Sequence, residues 1–298
     1  QEAIDSLRAM GLGANDAILY LYVVDELRKL TGVVPIRRLV TARSDTPVRD
    51  LAIREMISTS PDADQEEVAK LVARYDLLAV PVTDVDGTML GVITVDDVID
   101  VLKDEATEDL YRLAGVSGDE RIETPAWEAL KKRLPWLGVN LITAFVAASV
   151  VAAFEHTISQ ATALAVFMPI VAGMGGNAGT QVLALMVRGL ALGQIGASNV
   201  PALVWKEVRV ALINGLALGA VLGIVVLLWF RSPALAAVIA IALTCNLCFA
   251  ALGGVFVPVT LKRMGFDPAL AGGVILTTIT DVMGFLTFLG LATLVLLR

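Results

Sequence analysis

One carboxylate stands near the middle of a long apolar segment close to the end of the chain. Asp281 lies in the sequence TTITDVMG, inside an apolar run that we predict to span a membrane over residues 270–297. A carboxylate at the centre of a bilayer costs about 2.5–3.5 kcal/mol on insertion scales, which makes it a candidate functional site. It could relay protons, form a salt bridge or bind a cation. Every Lys and Arg in this half of the chain lies near a span end, so a proton or a mobile cation must balance its charge, with hydroxyl groups nearby from Thr277, Thr278 and Thr280.

A second polar cluster interrupts another predicted span, residues 161–187. It reads GMGGNAGTQ over residues 173–181 and follows Pro169. Tight helix packing through small residues would explain the glycines. It does not explain the polar side chains beside them, because polar groups within a bilayer must form hydrogen bonds with partners or line a water-filled path. We therefore predict a pore-lining or broken helix, with packing alone as the alternative.

The densest run of charge lies ahead of the apolar half. From Asp96 to Asp109 there are seven acidic residues, and Lys103 is the sole base. Four of the acids share one face at helical spacing, where like charges destabilise a helix: Asp97, Asp100, Asp104 and Glu108. This face is either simply solvated or a surface that senses a divalent cation, since carboxylates and water suit Mg²⁺. We favour sensing, because the run leads through a connecting helix into the first span.

Composition separates the chain into two parts. It has 298 residues, of which 56% are hydrophobic and 18% charged, whereas soluble domains carry about a quarter charged residues. Residues 1–133 hold 26 acids and 16 bases, a net charge of −10, and residues 134–298 hold four acids and seven bases, a net charge of +3. An acidic soluble part followed by a membrane part argues against nucleic acid and toward cations.

Five apolar runs are long enough to cross a bilayer. We place them at residues 135–155, 161–187, 208–230, 234–261 and 270–297. If the N-terminal part is cytoplasmic, eight basic residues flank the spans on the inside: Lys131, Lys132, Arg133, Arg188, Lys206, Arg209, Lys262 and Arg263. Only Arg231 and Arg298 flank them outside. The excess predicts a multi-pass protein of the inner (plasma) membrane with a cytoplasmic N-terminus and an outer C-terminus.

Other residues exclude whole classes of chemistry. Cys245 and Cys248 lie in an apolar run, so we interpret them as packing residues, with no disulfide framework or zinc site. His156 is the only histidine, which leaves little for His-based catalysis. Asp267 precedes Pro268 at the start of the fifth span, where it either caps a helix or lies on an ion path. The chain starts at Gln1 without Met or a signal sequence, so we expect sequence to be missing upstream.

The soluble part contains an internal repeat. YVVD at residues 22–25 is followed by GVVPIRRL at 32–39, and 59 residues later PVTD at 81–84 is followed by GVITVDDV at 91–98. Each unit reads helix, strand, turn, strand, helix, with Asp86-Gly87 as a hairpin turn and an amphipathic helix from Glu66 to Tyr75.

These repeats resemble the CBS domain, a paired β-α module that often binds adenine nucleotides. In that family a Thr or Ser and an Asp after the second strand hold the nucleotide, and Thr94 and Asp97 match them in the second repeat. The first repeat has Pro35 and Arg38 at these positions and also begins abruptly, without its usual leading strand. This departure leaves ATP binding at the pair open.

The order of all parts resembles the MgtE family of magnesium channels over nearly the whole chain. The resemblance rests on the CBS repeats, the acidic connecting helix, five spans, PIVAGMGGNAGTQ in the second and DPAL…TTITD in the fifth. It implies an α/β CBS-domain pair with an incomplete first repeat, a connecting plug helix and an all-α five-helix transmembrane domain. The boundaries are 1–46 and 47–102 for the repeats, 103–133 for the plug and 134–298 for the membrane domain. The family's N-terminal helical domain has no counterpart here, and Gly272-Gly273-Val274 departs from the expected Ser-Gly-Pro.

The same resemblance implies site residues. The family is a homodimer with its pore between the membrane domains, where Asp281 holds hydrated Mg²⁺ opposite its twin. Candidate pore-lining residues are Gly173, Gly176, Asn177, Thr180, Asp267 and Thr277. Cytoplasmic Mg²⁺ closes the pore by bridging the CBS surface and the plug. Positions matching the regulatory ligands are Asp64, Glu66, Asp76, Asp97, Asp100, Glu105, Glu108 and Asp109.

The sequence thus predicts a Mg²⁺-selective channel or transporter in the lipid bilayer, with Mg²⁺ as both substrate and regulator. The main alternative is a proton- or cation-coupled divalent metal carrier, in which Asp281 takes up a proton. A Mg²⁺ sensor without transport is a third interpretation. A membrane enzyme is disfavoured, because the chain has no P-loop, no HExxH motif and no nucleophile–base constellation.

Overall fold

The computed structural model describes residues 2–9, 19–196 and 198–297 of the chain. These residues form two compact units, Gln1–Ala106 and Thr107–Arg298. The predicted incomplete start of the first repeat involves residues 10–18, and the outer flank includes Arg298; both lie outside the described residues.

The N-terminal unit contains two β-hairpins with helices. Its described elements are α1 (Glu2–Ala9), β1 (Tyr20–Val24), β2 (Leu30–Pro35), α2 (Ile36–Thr41), α3 (Val48–Leu51), α4 (Gln65–Tyr75), β3 (Ala79–Thr83), β4 (Met89–Thr94) and the start of α5 (Val95–Leu113). Strands β1 and β2 pair antiparallel, as do β3 and β4. The predicted strand–turn–strand units are therefore confirmed.

The second hairpin turns at the predicted Asp86-Gly87 pair. Asp84 Oδ1 accepts hydrogen bonds from the backbone N–H groups of Asp86 (3.0 Å) and Thr88 (2.7 Å), and Gly87 has φ +84°. The backbone bond from Thr88 is the main cause that lowers the pKa of Asp84. A glycine at positive φ avoids the Cβ clash that other residues suffer there. In the first hairpin Arg28 takes this position with φ +62°.

The two hairpins meet through a pair of matching backbone hydrogen bonds. Leu30 N–H donates to the Gly87 carbonyl, and Met89 N–H donates to the Arg28 carbonyl, both at 3.0 Å. The two donors are 59 residues apart, and so are the two acceptors. The 59-residue offset of the sequence repeat is thus reproduced as a local two-fold relation between the hairpins.

Helix α4 forms where the amphipathic pattern predicts it. Asp64 caps it by accepting the Glu66 backbone N–H at 2.8 Å, and Asp76 ends it in the left-handed region with φ +50°. One face is buried through Val68, Ala69 and Val72, and Ala69 and Val72 pack with Val80 of β3 and Val98 of α5. Burial of this face, at roughly 25 cal/mol per Å² of apolar area, holds the helix on the hairpin.

The second unit contains the predicted membrane helices. After the end of α5 come α6 (Ala126–Ala153), α7 (Glu155–Gln160), α8 (Ala163–Ala191), α9 (Val200–Phe230), α10 (Pro233–Arg263) and α11 (Pro268–Leu296). Five of them, of 28 to 31 residues, are long and apolar enough to cross a membrane, which confirms the five predicted spans. At 1.5 Å per residue they exceed the roughly 30 Å of a bilayer core. The extra length is clearest in α9, which begins at Val200 rather than residue 208.

Helix α10 lies at the centre of this unit. More than half of its most apolar stretch is buried, against 6% for α6. Small residues allow α9 to approach it closely, since a Cβ at Gly219 would lie 2.8 Å from the Ala240 carbonyl oxygen. Close backbone approach through glycine is how membrane helices gain packing energy without a hydrophobic driving force.

The predicted connecting helix over 103–133 is two helices in the structure. Helix α5 ends at Leu113, and α6 begins at Ala126. Gly115 stops α5 with φ +73°, and the Val116 N–H reaches back to the Tyr111 carbonyl at 2.8 Å, the bond of a Schellman cap. A side chain at this glycine would also collide with the ring of Trp136.

Candidate ion-binding cavity

A cavity of about 300 Å³ lies within the second unit, between the end of α5 and helices α6, α8 and α11. Its wall carries a set of polar side chains: Arg112, Asn140, Thr143, Thr180, Thr277, Thr278 and Asp281. The predicted site residues Thr180, Thr277 and Asp281 therefore meet in one place. A space of this size is large enough for several water molecules around a small ion.

Asp281 is a half-buried carboxylate of this wall. Among the described residues, no side chain forms a hydrogen bond or ion pair with it. Buried charges in proteins are normally paired or bound to a metal, so the carboxylate is available to a cation that enters the cavity.

Four threonines stand with Asp281 on the cavity wall: Thr143, Thr180, Thr277 and Thr278. Thr277 and Thr278 precede Asp281 on α11 by four and three residues, which places these three side chains on adjacent positions of one helical face. Their hydroxyls donate to the carbonyls of Gly273 (2.8 Å) and Val274 (2.7 Å), and Thr180 donates to Gly176 (2.9 Å). Each hydroxyl proton is thus used inside its own helix. The oxygen lone pairs remain to accept from the waters of a hydrated hard cation, which prefers oxygen ligands.

Other predicted pore-lining residues lie elsewhere. Gly173, Gly176 and Asn177 do not line this cavity; a Cβ at either glycine would meet nothing within 4 Å, and Asn177 is exposed. Further glycines of the same polar stretch serve helix packing, since a Cβ at Gly179 would lie 3.0 Å from Leu276 of α11. The packing interpretation thus accounts for Gly179. Helix α8 is continuous over Ala163–Ala191 rather than broken, and pore lining by this stretch stays a prediction.

Asp267 caps α11 and also forms an ion pair, and it does not line the cavity. Its Oδ1 accepts the Ala269 N–H at 2.7 Å, and its Oδ2 accepts from Arg112 Nη1. Arg112 pairs with Glu108 as well. Partial burial by itself lowers the pKa of Arg112. The hydrogen bond and charge of Asp267, together with the charges of Glu108 and Asp109, outweigh this effect, so that the pKa of Arg112 is raised.

Sequence reasoning missed Arg112, Trp136, Asn140 and Thr143 as cavity residues. A signal existed for two of them. Arg112 is a base four residues after Glu108, the spacing of a helical ion pair, and Asn140 is a polar residue inside an apolar span. Trp136 and Thr143 carry no such signal.

The predicted regulatory acids are spread over the first unit and α5. Asp64 and Asp76 lie at the two ends of α4, and Glu66 pairs with Lys70 at 2.6 Å. Glu105 accepts from Gln65 Nε2 at 2.5 Å, and Glu108 pairs with Arg112. Asp100 and Asp109 also lie on α5. In the part of the chain that the structure describes, no three His, Cys, Asp or Glu side chains gather into a metal site.

Thr94 and Asp97, the predicted nucleotide ligands, cap the start of α5. Asp97 Oδ2 accepts from the backbone N–H of Thr94 at 3.0 Å and from its hydroxyl at 2.7 Å. The side-chain bond with Thr94 is the main cause that lowers the pKa of Asp97. The backbone bond is one half of a capping box, which stabilises the helix terminus.

The comparison with known proteins covers both parts of the chain. The MgtE family profile, described as a divalent cation transporter, matches residues 168–291, and the CBS domain profile matches residues 48–104. The chain is 41% identical over 277 residues to the magnesium transporter MgtE of Enterococcus faecalis, with 93% of this chain and 61% of that protein aligned. It is 37% identical over 278 residues to that of Bacillus subtilis, with 93% and 62% aligned.

Several solved structures are also similar to part of the chain. The cytosolic domain of the Mg²⁺ channel MgtE in complex with ATP is 42% identical and covers 34% of this chain and 40% of that chain, with a TM-score of 0.32. The chain spans about three fifths of the length of the curated relatives named above. By the profile match, and by identity along 93% of its length to both relatives, the chain belongs to the MgtE family.

Proposed function

We propose that this chain carries the ion path of a Mg²⁺ channel or transporter and that the ion passes Asp281. The observation that carries the proposal is the unpaired, half-buried carboxylate in a cavity walled by threonine hydroxyls. The names of the relatives point to the same ion. Mg²⁺ gives up its water slowly, so Asp281 and the hydroxyls bind the ion through its water shell.

The charge balance favours two copies of the chain. One Asp281 offers a single negative charge to a doubly charged ion, whereas a homodimer with both carboxylates facing one path offers two. We therefore propose a homodimer with its pore between the membrane units.

The N-terminus lies on the cytoplasmic side in this proposal. Basic residues near one end of the bundle stack on tryptophans, Lys131 over Trp127 at 5.5 Å and Arg209 over Trp205 at 5.4 Å. Trp229 is 70% exposed near the other end of α9. Aromatic residues at both ends and bases at one end match the aromatic belts and the positive-inside rule.

Regulation is assigned to the acidic residues of the first unit and α5. We propose that cytoplasmic Mg²⁺ binds there and favours a closed state by its higher affinity for that state. The ligands proposed are those at the family positions: Asp64, Glu66, Asp76, Asp97, Asp100, Glu105, Glu108 and Asp109. ATP at Thr94 and Asp97 is proposed with them, on the resemblance of the second repeat.

The test is uptake of Mg²⁺ by liposomes that contain the purified chain. Asp281→Asn, which removes the charge at nearly constant size, should reduce uptake to background, because no other carboxylate lines the described cavity. Glu155→Gln is the matched control, since it removes an exposed carboxylate of the same unit outside the cavity. Wild-type uptake by Asp281→Asn would contradict the proposal.

A coupled carrier is the second candidate, because an unpaired membrane carboxylate can also take up a proton. Planar-bilayer recordings separate the two. Steady Mg²⁺ currents without a proton gradient support a channel, and uptake that stops when the proton gradient is collapsed supports a carrier.

A further inference from the structure

Asn246 is a fully buried polar side chain to which the transport proposal gives no role. It lies on α10 with none of its surface exposed. Its Nδ2 donates to the carbonyl oxygen of Val171 on α8 at 2.8 Å, whereas its Oδ1 is buried without a hydrogen-bond partner. Leaving a buried acceptor unpaired is unfavourable, so an apolar side chain would serve packing alone better than this amide does.

Two glycines make room for the Asn246 amide. A Cβ at Gly175 on α8 would overlap the amide, and a Cβ at Gly284 on α11 would lie 2.7 Å from its Nδ2. The amide therefore stands between α8 and α11, and both helices lack a side chain at the place where it inserts.

One turn further along α8 the same two helices touch directly. A Cβ at Gly179 would lie 3.0 Å from the Leu276 side chain of α11. The separation of α8 and α11 is therefore set at two levels, by direct contact at Leu276 and by the inserted amide of Asn246 at Gly284.

Asp281 lies between these two levels on α11. Leu276 and Gly284 are eight residues apart, which is about 12 Å along a helix. A change in size at the amide would move the Gly284 end of this segment while Leu276 holds the other end. The carboxylate between them would then shift relative to Thr180 of α8 across the cavity.

We propose that Asn246 is a positioning residue: its amide, held by the Val171 carbonyl, keeps α11 apart from α8 and so sets where Asp281 meets the hydrated ion. The inference rests on the proposed function of Asp281. A spacer of constant size makes the site sensitive to the size of the hydrated ion. Loss of the spacer should therefore change which ions are taken up.

The test compares uptake of Mg²⁺ and Mn²⁺ by the reconstituted chain. Asn246→Ala should change the ratio of their half-saturating concentrations by about tenfold, the scale of discrimination that small steric differences supply. Cys248→Ala is the matched control. Cys248 is a partly buried residue of the same helix, and its side chain packs against the cluster of Ala211 and Leu247 rather than between Gly175 and Gly284. Its ratio should stay at the wild-type value.

A compensating variant separates spacing from general packing. In the double variant Asn246→Ala and Gly284→Ala, a methyl group from α11 enters the space that the Asn246 amide occupied. This variant should return the Mg²⁺ to Mn²⁺ ratio of half-saturating concentrations toward the wild-type value. If Asn246→Ala lowers only the maximal rate or the yield of folded protein, with the ratio unchanged, the proposal is wrong.

Two further variants keep the test decisive. If Asn246→Ala does not fold, Gly284→Ala alone presses on the same amide, and an unchanged ratio in that variant overturns the proposal. Asp281→Asn is measured in parallel. Wild-type uptake by that variant refutes the proposed function itself, whereas background uptake together with an unchanged Asn246→Ala ratio refutes only the role of Asn246.

Discussion

Two aspartates of one helix show how environment decides the role of a residue. Asp267 caps α11 and pairs with Arg112, whereas Asp281, fourteen residues later, faces a cavity and has no partner among the described residues. The sequence singled out Asp281 because of its apolar surroundings, and its role in ion binding stays a prediction. For Asp267 it left a helix cap and a place on the ion path as alternatives. It did not predict the ion pair with Arg112, because the two residues are 155 positions apart in the chain.

At the same scale, Asp119 supports a pH-dependent prediction. It accepts hydrogen bonds from Ser117 and from Lys132 at 2.9 Å, and the Ser117 bond is the main cause that lowers its pKa to about 2. The unfolded value is about 3.9. A lowered pKa stabilises the folded state above the unfolded pKa, and this contribution disappears as the pH falls through the folded one.

Asp119→Asn should therefore lower the melting temperature of the detergent-solubilised chain at neutral pH and have little effect near pH 2. Glu123→Gln, at an exposed position of the same segment, is the control and should have no effect at either pH. An equal loss for Asp119→Asn at both pH values would count against the lowered pKa.

At the scale of elements, the end of α5 is attached to the start of α11 by an ion pair and by packing of Leu113 against the apolar cluster that contains Ala269 and Leu276. Arg112 of α5 pairs with Asp267, and a Cβ at Gly273 of α11 would lie 3.7 Å from the Leu113 carbonyl oxygen. The sequence predicted one connecting helix over 103–133, although Gly115, Gly118 and Pro125 lie within this range. Gly115 at positive φ ends α5 in a Schellman cap, and Trp136 leaves no room for a side chain at this position.

Substitutions at Asp267 can separate its capping of α11 from its ion pair with Arg112. Asp267→Asn keeps a good helix cap and loses the ion pair, whereas Asp267→Ala loses both. We expect Asp267→Asn to speed amide hydrogen exchange in residues 110–116, because the end of α5 loses its ion pair with Asp267. Asp267→Ala should in addition speed exchange in the first turn of α11, since loss of a cap costs about 1 kcal/mol. Equal exchange at that turn in both variants would argue against the capping role.

At the scale of the whole molecule, the charged residues and the apolar segments lie in different parts of the chain. The acids are concentrated in residues 1–133, and the membrane half keeps only four. If the acidic part senses Mg²⁺, millimolar Mg²⁺ should slow proteolysis of residues 1–133, because the bound ion relieves repulsion among the carboxylates.

Neutralising Glu105, Glu108 and Asp109 together should abolish this protection and weaken inhibition of uptake by internal Mg²⁺. NaCl at matched ionic strength is the control, since it screens the charges without binding the site. Protection by NaCl equal to that by Mg²⁺ would show screening rather than specific binding.

The sequence by itself determined the five membrane helices and the hairpin repeat, and it picked out Asp281 as an acid inside an apolar segment. These are local properties, because span length, 59-residue repetition and an acid in an apolar run can be read along the chain. Only the tertiary structure decided that Arg112 meets Asp267, that Asn246 stands between two glycines and that Thr180 shares a cavity with Asp281 while Asn177 does not. Helices that are apolar all round carry little periodic pattern to say which face meets which neighbour, so close packing of distant segments settles which polar groups come together.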